Sequence, residues 1–440
     1  MAAEHEENDE GFSLETTEKG KTRQTIDNCV KVFRNDPYLQ NAIKKNELTG
    51  KIDIVKNLGW KRHGSGITDN DIYQLQWYLE RQYGLFHDKM INKAINIVAN
   101  ENSYHPVVDF LESLHWDGKL RIDNMLSRYL GVEENFYTRE VIRLLMKAAI
   151  KRVYEPGCKF EMMVVLVGGQ GAGKSSFFRL LSCCDDWFSD DLKKIDDENI
   201  YRKIQGHWFI EMSEMLATVN AKSIEDIKSF LSRQKETYKI PYETHPEDRP
   251  RQCIFVGTTN NIDFLPLDRT GNRRFAPIRV RAERKYKHIL EDEQEARYYI
   301  RQAWAEAMED YRNNPNHDLI LSKEAENYLK ELQKDFTPED TKVGIIQEWL
   351  DHCNKEYVCT QMICEEALGK NKDEVSLVDS KIIGGIMNDC IAGWEKVSSH
   401  RFEGRYGIQR AWRKIYRPDF CDVTEESECP FEQAKLESLL

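Results

Sequence analysis

The segment Gly168-Gly169-Gln170-Gly171-Ala172-Gly173-Lys174-Ser175-Ser176 sets a lysine and two hydroxyls directly behind a run of glycines. Glycines let successive backbone N–H groups turn inward and cradle phosphate oxygens. A lysine at this point can reach the β- and γ-phosphates, and the following hydroxyl can ligate Mg²⁺. Residues 168–175 satisfy G-x-x-x-x-G-K-[ST] in full. The apolar run Met162–Val167 precedes them as a buried strand, and Ser176–Leu181 follows as a helix, whose N-terminal dipole favours an anion. A chance glycine-rich turn has no need of that setting. The expected chemistry is binding and hydrolysis of ATP with Mg²⁺.

Hydrolysis requires further groups around the phosphates. His207-Trp208-Phe209-Ile210-Glu211-Met212-Ser213-Glu214 offers two acids at the end of a second apolar run. Strand side chains alternate faces, so Glu211 and Glu214 point differently if the strand stays regular. Glu214 lies at the strand end and is favoured as the carboxylate that polarises water, directly or through Mg²⁺. Glu211 is the alternative acid for the metal, or a buried glutamate paired with a cation. A third run, Cys253–Gly257, leads into Thr258-Thr259-Asn260-Asn261, where Asn260 could hold the attacking water. Arg273 and Arg274 follow and could reach a neighbouring subunit's γ-phosphate, or simply pair at the surface. Between the second and third runs, residues 235–249 read as a hairpin, on which Lys239, His245 and Arg249 could touch a DNA backbone.

Several classes fall away. The guanine-reading NKxD is absent, since Asn371-Lys372-Asp373-Glu374 misses it by one position, and no LSGGQ signature occurs. Cys353, Cys359 and Cys364 lie close together with no zinc-like spacing, so the eleven cysteines read as reduced thiols. No apolar run approaches the roughly 18 residues of a membrane span, and the acidic N-terminus lacks a signal peptide's basic and apolar regions, so a cytoplasmic location is expected.

The elements that must position these groups alternate strand and helix, which predicts an α/β core with a mostly parallel sheet. Residues 1–22 and 418–440 read as weakly ordered acidic ends, and bias the formal net charge of −12. Between them we place a helical domain at 23–105, with Asp69 and Asp71 opening one helix and a short strand within Gly50–Leu58. A helical connector takes 106–157, the ATPase core with its following helices 158–335, and a small module 340–417. That module reads as helices followed by a hairpin, in the manner of a winged helix. Its last segment interleaves Arg401, Arg405, Arg410, Arg413, Lys414 and Arg417 with Tyr406 and Trp412. Arg405, Arg410 and Arg413 could lie on a phosphate backbone, or pair with the acidic tail.

The phrases HPVVDFLESLHWDGK, VYEPGCKF, GGQGAGKSS, WFSDDL, FLSRQKETYKIPY, PRQCIFVGTTNN and DRTGNRRFAPI, spread over His105–Val280, resemble the virulence-associated protein E family of prophages and pathogenicity islands. The resemblance implies a superfamily-3-helicase-like, AAA+-type P-loop core, assembly into a ring read as a hexamer, and replication of mobile-element DNA in a bacterial host. It implies single-stranded or forked DNA and replication proteins as partners. The phosphate-loop residues, Glu214, Asn260 and the Arg273/Arg274 pair carry over. The chain departs in having Ser213-Glu214 where many such helicases have two adjacent acids, and in lacking any primase-like acidic cluster ahead of the connector. Two other readings stay open: a DNA-binding initiator or loader that does not unwind, and a nucleotide-binding structural or virulence factor with no DNA role.

Overall fold

The computed structural model describes residues 12–192, 195, 200–213, 221–238, 247–266, 272–314 and 318–415. The chain divides into two compact units, up to Pro338 and from Glu339 onward. Pro338 is the last residue of the first unit.

The first unit opens with α1 (Ile26–Asn35), the hairpin β1 (Ile43–Lys45) and β2 (Ile52–Ile54), then α2 (Asp69–Tyr83) and α3 (Asp88–Glu101). Thr68 caps α2 in a reciprocal box with Asp71, and Gly84 ends it in the left-handed region at φ 67°, a conformation that costs glycine little. Residues 12–22, expected to be weakly ordered, are instead tied down. Phe12 packs on Tyr83 with ring centroids 5.9 Å apart, and Thr16 bridges Thr22. An apolar residue on the acidic segment is enough to anchor it. The rest of that segment and the tail from 416 lie outside the described residues.

Next come α4 (Pro106–Glu112), α5 (Ile122–Leu130) and α6 (Phe136–Tyr154). The core proper runs β3 (Met163–Val167), α7 (Lys174–Leu181), β4 (Phe188–Ser189), α8 (Ile200–Ile204), β5 (Phe209–Glu211), α9 (Ala221–Leu231), β6 (Lys235–Tyr238), β7 (Glu247–Pro250), β8 (Ile254–Thr259) and β9 (Phe275–Arg279). Helices α10 (Glu293–Asn313) and α11 (Lys323–Lys334) complete it. Five strands form a parallel sheet in the order β4-β5-β8-β3-β9, with helices covering both faces. The sequence reveals three of these as apolar runs. The two-residue β4 is too short to show, and β9 is broken by Pro277, which is tolerated because β9 is an edge strand.

Alternation on β5 decides how the site is built. Phe209 faces the layer that contains α6 and α7, and Ile210 and Met212 face the other. Glu211, two residues beyond Phe209, therefore faces α7. Behind it Trp208 stacks on Trp304 at 4.5 Å and donates its indole N–H to the Ala149 carbonyl, while Trp304 donates to the Leu181 carbonyl. These aromatic contacts lock α6, α7, β5 and α10 into one block.

The second unit contains α12 (Thr341–Asp351), β10 (Tyr357–Cys359), α13 (Leu377–Asp389), β11 (Trp394–Phe402) and β12 (Gly407–Lys414). Its antiparallel sheet has the order β10-β12-β11. No helix among the described residues is long and apolar enough to cross a membrane.

Candidate active site

The loop between β3 and α7 has glycines at positions where side chains would not fit. Gly173 caps α7 at φ 89°, and a Cβ on Gly168 would lie 2.7 Å from the Val280 carbonyl oxygen. The loop opens on a cleft of ≈ 600 Å³ lined by residues 170–176, Ser213 and 258–261.

Five side chains meet there. Lys174 Nζ donates to the carbonyls of Gly168 (2.8 Å) and Gly169 (2.7 Å) and to Asn260 Oδ1 (2.8 Å). Ser175 Oγ donates to Glu211 Oε1 at 2.7 Å, and Thr258 Oγ1 donates to the same oxygen. Glu211 is 1% exposed, and its Oε2 is buried with no hydrogen-bond partner. Burial pushes its carboxyl above the ordinary glutamate range and Asp190 adds to this, against the hydroxyl donors and Lys174. Burial also lowers the Lys174 ammonium, with Glu211 opposing.

Asn260 is thus placed against the loop lysine. Among the described residues Glu211 forms no hydrogen bond with a lysine or arginine and is held by the hydroxyls of Ser175 and Thr258. Glu214, favoured as the water-polarising acid, lies outside the described residues, as do Lys239 and His245. Thr258, which sequence reasoning passed over in favour of Asn260, shares a face with Val256, the register partner of Glu211. That two-residue alternation was the available signal.

The residues fit a magnesium nucleotide. Lys174 spends its donors on loop carbonyls and an amide that phosphate oxygens can replace, and Glu211 keeps an orphaned oxygen beside the Ser175 hydroxyl.

The arginine pair sits elsewhere. Met163 N donates to the Arg274 carbonyl, so the pair lies at the start of β9, the opposite end of the sheet from the loop. Arg274 is held by Ser232 (3.0 Å) and Glu161 (3.4 Å). The Arg273 side chain is 76% exposed, with Glu161 at 3.8 Å. Strands β6 and β7 do form the expected hairpin, but Arg249 lies half-buried at its base, where its guanidinium fills the space a Cβ on Gly50 would need.

In the second unit the basic segment divides. Arg405 pairs with Glu365 and Arg413 with Glu395, whereas Arg410 is exposed. Trp412, expected between the arginines on one surface, is 4% exposed and donates to Asn388 Oδ1 at 2.9 Å. Its neighbour Ala411 is buried as well, so β12 departs from simple alternation.

The model of the virulence-associated protein E-like domain matches residues 111–338. Among solved structures, two apo forms of the NrS-1 C-terminal region are similar, at 12% and 13% identity with TM-scores of 0.44 and 0.46, each match covering 84% of this chain and 96% of that chain. No curated protein sequence matches. The family match covers more than half of the chain and takes in the whole phosphate-loop site, from β3 to Asn260: the chain belongs to the virulence-associated protein E-like family.

Proposed function

We propose that the chain is a P-loop ATPase that drives DNA translocation or unwinding in the replication of a prophage or mobile element, in the bacterial cytoplasm. The observation that carries this reading is the convergence of Lys174, Ser175, Glu211 and Asn260 from three adjacent parallel strands and the helix behind one of them. Bound Mg²⁺ supplies charge neutralisation on the β- and γ-phosphates. Ser175 and Glu211 would hold that ion, Lys174 would exchange its loop carbonyls for phosphate oxygens, and Asn260 would orient the attacking water. Glu214 remains the proposed acid for accepting the water's proton.

The strand bearing Glu211 is separated from the loop strand by the strand bearing Asn260, in keeping with an AAA+-type core. Arg273 stands one five-residue strand away from its own loop, roughly 13 Å along the sheet by the strand rise. It therefore suits a γ-phosphate in a neighbouring copy, which favours a ring such as a hexamer. Helices followed by the β11–β12 hairpin suit a winged-helix module on DNA. Replication proteins are the expected further partners.

The test is ATP hydrolysis with and without single-stranded DNA. Turnover should rise with DNA, and Lys174→Ala should abolish it. Near-normal turnover in that variant would overturn the site. Hydrolysis indifferent to DNA would favour a factor with no DNA role, and stimulation without strand displacement an initiator or loader.

A further inference from the structure

The helix α2 has its apolar and polar faces in an unusual arrangement. Asp71, Leu75 and Leu79 face the core. At 100° per residue Tyr73 and Trp77 stand on the opposite side, where they are 64% and 60% exposed. Arg81 continues the same stripe at the next i+4 position, its guanidinium carbon 5.8 Å from the Trp77 ring centroid. Phe86, just beyond the Gly84 cap, is 61% exposed. Large aromatics on the solvent face of a helix lose hydrophobic burial, and a cluster of them marks a binding surface.

The region that carries this stripe is basic where the chain is acidic, although Asp69 and Glu80 share the exposed face of α2 with Arg81. Residues 23–105 carry twelve Lys and Arg against nine Asp and Glu, in a chain whose formal net charge is −12. Burial sharpens the contrast. Asp36, Asp53 and Asp71 are no more than 2% exposed. Asp36 accepts from the Tyr78 and Tyr83 hydroxyls, Asp53 from Tyr104 and Asn46, and Asp71 from Trp60, Arg62 and Thr68. With Arg62 drawn inward by Asp71, the surface of this region bears eleven basic and six acidic side chains. The internal tyrosines, tryptophan and amide take up the acids and leave the lysines outside.

We infer that the Tyr73–Trp77–Arg81 stripe binds single-stranded DNA, its rings stacking on unpaired bases while Arg81 and the net basic charge of this region neutralise the backbone. A duplex hides its base faces, so the stripe selects single strands. The inference rests on the reading of the chain as a DNA-acting ATPase, but its test needs no hydrolysis.

Fluorescence anisotropy of a labelled oligothymidylate is measured with the full chain in the absence of nucleotide. Trp77→Ala should weaken binding tenfold or more, Trp77→Phe should keep most of the affinity, and Arg81→Ala should weaken it less and reduce its salt dependence. The Lys174→Ala protein should bind like the unaltered chain, so failure of the ATPase reading would leave this result standing. Unchanged affinity in a folded Trp77→Ala variant, or equal affinity for blunt duplex, would overturn the inference. So would a change of oligomeric state without a change in affinity, which would make the stripe a contact between copies.

Discussion

Two glutamates lie buried at opposite ends of the first unit's core, and they are built in opposite ways. Glu236, 5% exposed, is closed by a cation. Arg251 donates to it from two nitrogens, gives a third bond of 2.6 Å to the Phe230 carbonyl, and lies 4.4 Å above the Phe230 ring. Among the described residues Glu211, 1% exposed, is met by hydroxyls and keeps one oxygen without a hydrogen-bond partner. A buried charge is normally paired, since desolvation is costly otherwise. On the function proposed above, a carboxylate left half-satisfied suits a cation that arrives with the ligand, which makes the first glutamate architecture and the second a candidate site.

Removing the cation from the closed pair should have the largest effect on folding. Arg251→Ala leaves Glu236 buried with only the half-exposed Arg233, 3.8 Å away, to compensate it, and should lower unfolding free energy by about 3 kcal/mol. Chemical denaturation measures this. ATP binding at low denaturant should survive, because the pair lies away from the loop. A loss below about 1 kcal/mol, the range of surface pairs, would erase the contrast.

Glu211→Gln should act the other way on stability. With a raised folded-state pKa, Glu211 contributes stability below the ordinary glutamate range, and that contribution is lost as pH climbs through the raised value. At neutral pH the glutamine variant should therefore unfold at a higher temperature than the nucleotide-free parent, and the gap should close as pH falls towards the ordinary glutamate range. The same change should slow hydrolysis by a factor on the order of 10² to 10³ and remove the pH dependence of magnesium-nucleotide affinity. Glu214→Gln should bind ATP and hydrolyse it about 10²-fold more slowly, without the stability gain. If only Glu214→Gln slows turnover, Glu211 belongs with Glu236 as architecture.

The arginines at the far end of the sheet extend the comparison between copies of the chain. Arg273→Ala, mixed with Lys174→Ala protein, should recover part of the lost ATPase activity, because some interfaces then combine an intact loop with an intact arginine. Arg274→Ala should instead behave as a mild packing variant, since Ser232 and Glu161 already hold that side chain. No recovery with Arg273→Ala despite verified co-assembly would count against action across the interface.

The smallest effect concerns the second unit. Replacing Arg405, Arg410 and Arg413 together should flatten the slope of log affinity against log salt on duplex DNA by about one unit rather than about three. Glu365 and Glu395 already neutralise two of the three. Basal ATPase activity should be unaffected, and an unchanged slope would assign the module another task.

Much of this was legible in the residues. The glycine-lysine-serine loop, the apolar runs on either side of it and the helix signals are local features. Capping chemistry, hydrophobic period and backbone steric freedom act within a few residues, so the helix opened by Asp69 and Asp71 and the turn at Gly173 could be read directly, although the cap itself is Thr68. What the tertiary structure alone decided depends on which distant segments share a face. It turned Glu211 towards Ser175 and Thr258, brought Asn260 to Lys174, and sent Arg273 and Arg274 to the opposite end of the sheet. It also buried Trp412 and three aspartates of the N-terminal region while leaving Trp77 in solvent. A residue's type and spacing state what chemistry it can do. Whether that capacity is spent inside the protein or kept for a ligand depends on partners supplied by sheet register and layer packing, at separations along the chain over which sequence periodicity carries no information.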